Sequence, residues 1–181
     1  METSLRYDCD SRALVIHAKE KIAIDSKTHL QVHGELDTKI GVPCYLSAVM
    51  RRFYPDLSAS LGFGLHYNGQ EKFRYSMQGK KAFPVTTNGL LSFNIKGRYD
   101  IDKEFKERTP SGAAEFTLGI LNFQKDQDVR LKVGCEVIQE KAIKGKKVSK
   151  VFNMVPYLQI RENNWTLNAD INGKWNVSYD L

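Results

Sequence analysis

Apolar and polar residues alternate along most of this chain in segments of about ten residues, divided by turn-forming residues, as half-buried β-strands require. Leu14, Ile16 and Ala18 alternate with Val15, His17 and Lys19, and Leu30, Val32 and Leu36 alternate with His29, Gln31, His33 and Glu35. The clearest run places Leu57, Ala59, Leu61, Phe63, Leu65 and Tyr67 on one face and Ser58, Ser60, Gly62, Gly64 and His66 on the other. Asn68-Gly69 and Asn88-Gly89 are dipeptides that close tight hairpins. Between them lies EKFRYSMQGKKAFPV, where Phe73, Tyr75 and Met77 alternate with Lys72, Arg74, Ser76, Gln78 and Lys80.

The pattern continues to the end of the chain. Leu91, Phe93, Ile95 and Tyr99 oppose Ser92, Asn94, Lys96 and Arg98; Val129, Leu131, Val133, Cys135 and Val137 oppose Arg130, Lys132, Gly134 and Glu136. Trp165, Leu167, Ala169 and Ile171 share a face, as do Trp175, Val177 and Tyr179. CYLSAVMRRFYP is ambiguous, because Leu46, Val49, Met50 and Phe53 also fit the three-and-four spacing of a helix. The charged DIDKEFKERTPSG reads as a long loop ending in Pro110 and Gly112. The Lys-rich KAIKGKKVSK (residues 141–150) reads as a solvated loop, with a nucleic-acid patch as the sharper alternative.

With a first strand at residues 4–7, these segments make about twelve strands in 181 residues, a length that all-β barrels often use as one domain. An even number lets the first and last strands meet antiparallel and close the sheet. The expected architecture is an all-β, closed antiparallel barrel formed by residues 1–181 as a single domain.

Which face lies inside separates two functions. A soluble basic barrel carrying a small acidic ligand would turn its apolar faces inward, and a transmembrane barrel would turn them toward lipid. A mean hydropathy of −0.43 suits either reading. Tyr7, Tyr54, Tyr67, Phe83, Tyr99, Trp165, Trp175 and Tyr179 sit on the apolar faces near strand ends, as interfacial girdles require, and favour the membrane. Twelve strands also exceed what a single-ligand barrel needs.

Composition then says what the lumen would do. Lys and Arg number 27 against 21 Asp and Glu, a net charge of +6, which makes anions, phosphates and acidic surfaces plausible partners. Each Lys or Arg at the lipid midplane costs roughly 2–4 kcal/mol, so the basic faces belong inside. The candidate lumenal anion and phosphate set is Arg6, Lys19, Lys21, Lys72, Arg74, Lys80, Lys96, Arg98, Arg130, Lys132, Arg161 and Lys174, opposed by Glu35, Glu115, Glu136 and Asp170. A basic wall of this kind selects anions. Arginines can grip phosphate oxygens bidentately, while lysines act as point charges.

Residues at both ends sharpen this picture. METSLRY, FQKDQDVRL, VPYLQIRENNWT and KWNVSYDL resemble the chloroplast outer envelope pore protein 21 family, in patches over nearly the whole chain. The resemblance implies a β-barrel in the outer envelope of plastids, inserted from the cytosol without a cleaved presequence. It further implies a rectifying anion pore for triose phosphates, 3-phosphoglycerate and inorganic phosphate, modulated by ATP and working as a monomer or homo-oligomer. The stretch from residue 141 to about 154 looks like an insertion relative to that family. The family's Phe-x4-Lys element for nucleotide binding has no match here; Phe93 with Arg98 comes nearest, so ATP is assigned to the lumenal basic set.

Other chemistries find little support in the sequence. The start METSLRYDCD lacks the apolar core of a secretory signal. Cys9, Cys44 and Cys135 have no metal-like or redox-like spacing. His29 and His33 share a strand face with Glu35, but four residues of strand put the two rings about 13 Å apart, too far for one tetrahedral ion. The histidines are therefore read as wall or loop residues, with no metal and no cofactor. No phosphate-binding Gly loop or nucleophile set stands out, so an enzyme is not expected, and nucleic acid is not expected as a partner. Asn164-Trp165-Thr166 and Asn176-Val177-Ser178 match the glycosylation pattern but fall within the strands.

Overall fold

The period-two segments pair with one another in chain order. In the computed structural model, which describes residues 1–69, 72–124, 127–144 and 147–181, they form β1 (Glu2–Asp8), β2 (Ala13–Ala23), β3 (Thr28–Asp37), β4 (Val42–Tyr54), β5 (Ala59–Asn68), β6 (Lys72–Pro84), β7 (Leu91–Asp102), β8 (Arg108–Gln124), β9 (Gln127–Lys144), β10 (Lys147–Glu162), β11 (Trp165–Asp170) and β12 (Trp175–Asp180). Each pairs antiparallel with its neighbours, and β1 meets β12 through the register from Ser4↔Asp180 to Asp8↔Asn176. That seam closes the ring of strands, and the β9–β10 hairpin extends beyond it, since β10 pairs with β11 only from Tyr157 to Glu162. Most strands have 10 to 18 residues, enough to cross a bilayer when tilted.

The barrel is inside out relative to a soluble one. Phe63 is 55% exposed and Met77 47% on the outer surface, while Ser76 is 4% and Asn94 6% exposed on the inner one. The outer aromatics collect at both rims. At the rim that carries the chain termini, Trp165 packs on Tyr179 at 4.8 Å, and Phe93 on Phe116 at 4.8 Å. At the opposite rim, Tyr7 packs on Trp175 at 6.1 Å and Tyr67 on Phe73 at 5.1 Å. Two such belts mark the two membrane interfaces.

One ambiguity is resolved and two expectations change. The ambiguous CYLSAVMRRFYP is strand β4, not helix: Ser47, Val49 and Arg51 face inward, and Leu46 and Met50 face outward at about half exposure. Val49 fits because Gly62 and Gly64 lie opposite on β5, where an added Cβ would crowd it. The expected loop DIDKEFKERTPSG is mostly strand, since β7 continues through Asp102 and β8 starts at Arg108. Pro110 and Gly112 are held by partners on β7 (Tyr99↔Pro110, Gly97↔Gly112), and this pairing outweighs their local breaking tendency. The Lys-rich stretch at residues 141–150 is likewise not a loop outside its connection: the β9–β10 ladder runs out to Lys147↔Lys144 and opposes Val148 to Ile143. Residues 145–146 lie outside the described residues.

Candidate conduction pathway in the barrel lumen

Side-chain parity brings most of the candidate basic residues onto one inner wall, in two arcs. The first arc spans β4 to β9. Lys80 and Lys96 are direct cross-strand partners, Lys96 and Arg98 follow one another on the inner face of β7, and Arg130 and Lys132 do so on β9. Together with Arg51, Gln78 and Glu136 they line two cavities of about 400 Å³ each.

Glu115 organises this arc. It is 2% exposed, and Lys96 Nζ donates to both of its oxygens at 2.7 Å. Tyr157 Oη donates to it at 2.7 Å from β10, two strands away. That reach depends on glycine. Gly134 pairs directly with both Tyr157 and Glu115, and the phenol lies across it; a Cβ there would stand 2.8 Å from the Tyr157 oxygen. The same device recurs at Gly62, which pairs with both Arg51 and Gln78. Arg51 Nη2 crosses it to donate to Gln78 Oε1 at 2.9 Å. A large residue, a glycine and an acceptor on three successive strands thus brace the wall with hydrogen bonds.

Several arginines are already committed to carboxylates. Arg98 Nε donates to Asp100 at 2.9 Å, and its Nη2 lies 3.2 Å from His66 Nδ1. Arg74 lies 3.6 Å from Glu107. In the second arc, formed by β1 to β3 and β10 to β12, Arg6 lies 3.6 Å from Asp8, Lys19 and Lys21 lie 3.6 and 3.0 Å from Glu2, and Arg161 lies 2.9 Å from Asp180. Glu2, Lys19, Lys21, Arg161 and Asp180, with His17, border a cavity of about 770 Å³. Lys80, Arg130 and Lys132 differ: among the described residues none of them closes a salt bridge. Their charge is left to the lumen.

One candidate does not belong on the wall. Lys174 sits in the turn between β11 and β12, exposed, 3.1 Å from Asp10 in the β1–β2 turn. Its hydrogen bond to Asp10 holds the ammonium above its ordinary pKa. It is a rim residue, because β11 ends at Asp170 and the inward parity ends there too. The side chain of Lys72 lies outside the described residues. Residues missed from the sequence are Arg51, hidden by the helix ambiguity of its segment, and Tyr157, which shares an inner face with Gln159 and Arg161. The polar alternation Tyr157, Gln159, Arg161 was the signal that could have found it.

The geometry is that of a polar-lined tube with an apolar exterior. The chain matches the family model described as chloroplast outer envelope pore protein OEP21 over residues 3–181. It belongs to that family. Outer envelope pore protein 21A, chloroplastic, of Arabidopsis thaliana is 54% identical over 181 residues, with all of both chains covered. The chloroplastic outer envelope pore protein 21 of Pisum sativum is 53% identical over 191 residues, and that of Oryza sativa subsp. indica 40% over 199, again with both chains covered in full. A solved structure of the porin NanC shares the fold alone, at 12% identity and a TM-score of 0.58, across 99% of this chain and 97% of its own. The protein is thus a pore of the chloroplast outer envelope, crossing the lipid bilayer with its strands and passing small solutes, as the resemblance in the sequence implied.

Proposed function

We propose that this pore is anion-selective and passes phosphorylated metabolites: triose phosphates, 3-phosphoglycerate and inorganic phosphate. The observation that supports this reading is the group Lys80, Arg130 and Lys132, inner-wall cations without a salt bridge among the described residues, gathered around Glu115. A wall of one sign bounded by low-dielectric material concentrates counter-ions. Partial compensation by Glu115, Asp100 and Asp180 keeps any one site weak, as conduction requires. ATP, the most highly charged of these anions, is assigned to the same basic arc as a modulating ligand that passes less readily.

The test is the reversal potential in a planar bilayer under a salt gradient, repeated with triose phosphate and ATP as competitors. Anion preference is expected, and cation preference overturns the reading. Replacing Arg98 and Arg130 by Ala lowers the preference, with Arg130 carrying the larger share because Asp100 already offsets Arg98. Equal selectivity in all variants would place the determinant elsewhere.

A further inference from the structure

The sequence offered His29, His33 and Glu35 on a single strand, where the spacing is too long for an ion. The barrel supplies a different third group. Pairing of β2 with β3 sets His17 directly opposite Glu35 and diagonal to His33. Three atoms then form one small triangle: His17 Nδ1 and His33 Nε2 are 3.4 Å apart, His17 Nδ1 and Glu35 Oε1 3.4 Å, and His33 Nε2 and Glu35 Oε1 3.5 Å.

That triangle has the dimensions of a metal face. Zinc binds imidazole nitrogen at 2.0–2.1 Å and carboxylate oxygen at 2.0–2.2 Å with tetrahedral angles, which puts neighbouring donor atoms roughly 3.4 Å apart. Two imidazoles and a carboxylate are also a donor set that borderline divalent ions favour over calcium or magnesium. We propose that His17, His33 and Glu35 form a binding site for a zinc-class divalent ion on the lumen wall.

The surroundings fit such an ion. All three side chains are partly open to the lumen, at 15%, 24% and 22% exposure, so an ion can enter and a fourth position faces water. The site lies near mid-height, His17 being the fifth of eleven residues in β2. The neighbouring cations oppose a second positive charge, but Lys19 is drawn to Glu2 and Arg6 to Asp8, which offsets much of their field. The rings are held from the side: His17 stacks on His33 at 5.6 Å, and His33 packs on Tyr45 at 5.5 Å, so little freedom remains to be lost on binding. The fourth ligand position can take water or an oxygen of a passing anion.

The test uses the full barrel folded in detergent, titrated with Co2+ for its visible spectrum and with Zn2+ by calorimetry. One ion per barrel, with the intense bands of four-coordinate Co2+, is expected. H33Q and E35Q should each weaken binding at least tenfold, and a variant with Cys9, Cys44 and Cys135 all replaced by Ser should keep it. No binding by the wild type up to 1 mM Zn2+ overturns the proposal, as does binding that survives H33Q or that disappears with the cysteines. The readout needs no conductance, so it stands or falls apart from the anion selectivity proposed above.

Discussion

Replacing Glu115 by Gln removes one negative charge from the centre of the basic arc while keeping the shape of the side chain. In the native wall the carboxylate ties Lys96 at 2.7 Å and compensates the lysines around it. Consider an ion that passes about 7 Å away through water-like dielectric. One unit of charge changes its energy by roughly 0.6 kcal/mol, trimmed by a screening length of about 10 Å at 0.1 M salt. The change has opposite sign for anions and cations, so their difference moves by about 1 kcal/mol or somewhat less. The anion-to-cation permeability ratio should therefore rise by about two- to fivefold. The stability cost is the weakened charge-assisted bond, about 1.5–3 kcal/mol, and the 40% exposure of Lys96 places it at the low end of that range. The assay is the bilayer reversal potential, with the denaturant midpoint of the detergent-folded barrel as the control on folding. A ratio that stays constant or falls in a barrel that still folds would refute the reasoning, because it would mean that Glu115 does not act on the pathway.

Two further expectations follow from the wall and its exterior. Gly134→Val places methyl groups where the Tyr157 phenol lies, breaks the Tyr157–Glu115 hydrogen bond and lowers stability by about 1–3 kcal/mol, read as a shift of the denaturant midpoint. An unchanged midpoint would mean that the phenol carries no weight there. Met77→Arg puts a charge on the lipid face in the middle of β6 and costs about 2–4 kcal/mol in vesicle folding, whereas Ala113→Arg faces the lumen opposite Glu136 and is tolerated. Equal penalties at the two positions would contradict the assigned orientation.

Much of this protein is legible in local pattern. The alternation of Phe73, Tyr75 and Met77 with Arg74, Ser76 and Gln78 needs only the two-residue period of a strand, and charge in lipid is costly enough to decide which set faces in. The same two-residue period places most of the basic wall residues and the aromatic rims. It misleads where local signals conflict with pairing. Pro110 and Gly112 read as loop residues, yet β7 holds both in β8 and β9 pairs with Gly112 from the other side. Helix spacing in β4 hid Arg51, whose inward position follows from its partner Gly62.

What the sequence by itself determined is therefore the alternation, the approximate strand number and the sign of the lumen, because each is a property of residues close together in the chain. Register between strands is not such a property. It decided that Tyr157 crosses Gly134 to reach Glu115, that Lys96 is the lysine held by Glu115, and that His17 joins His33 and Glu35. These contacts link residues 16 to 42 positions apart and join different strands. A one-residue slip would send every one of them to the other face, so only the closed barrel, with each ladder fixed by the next, could place them.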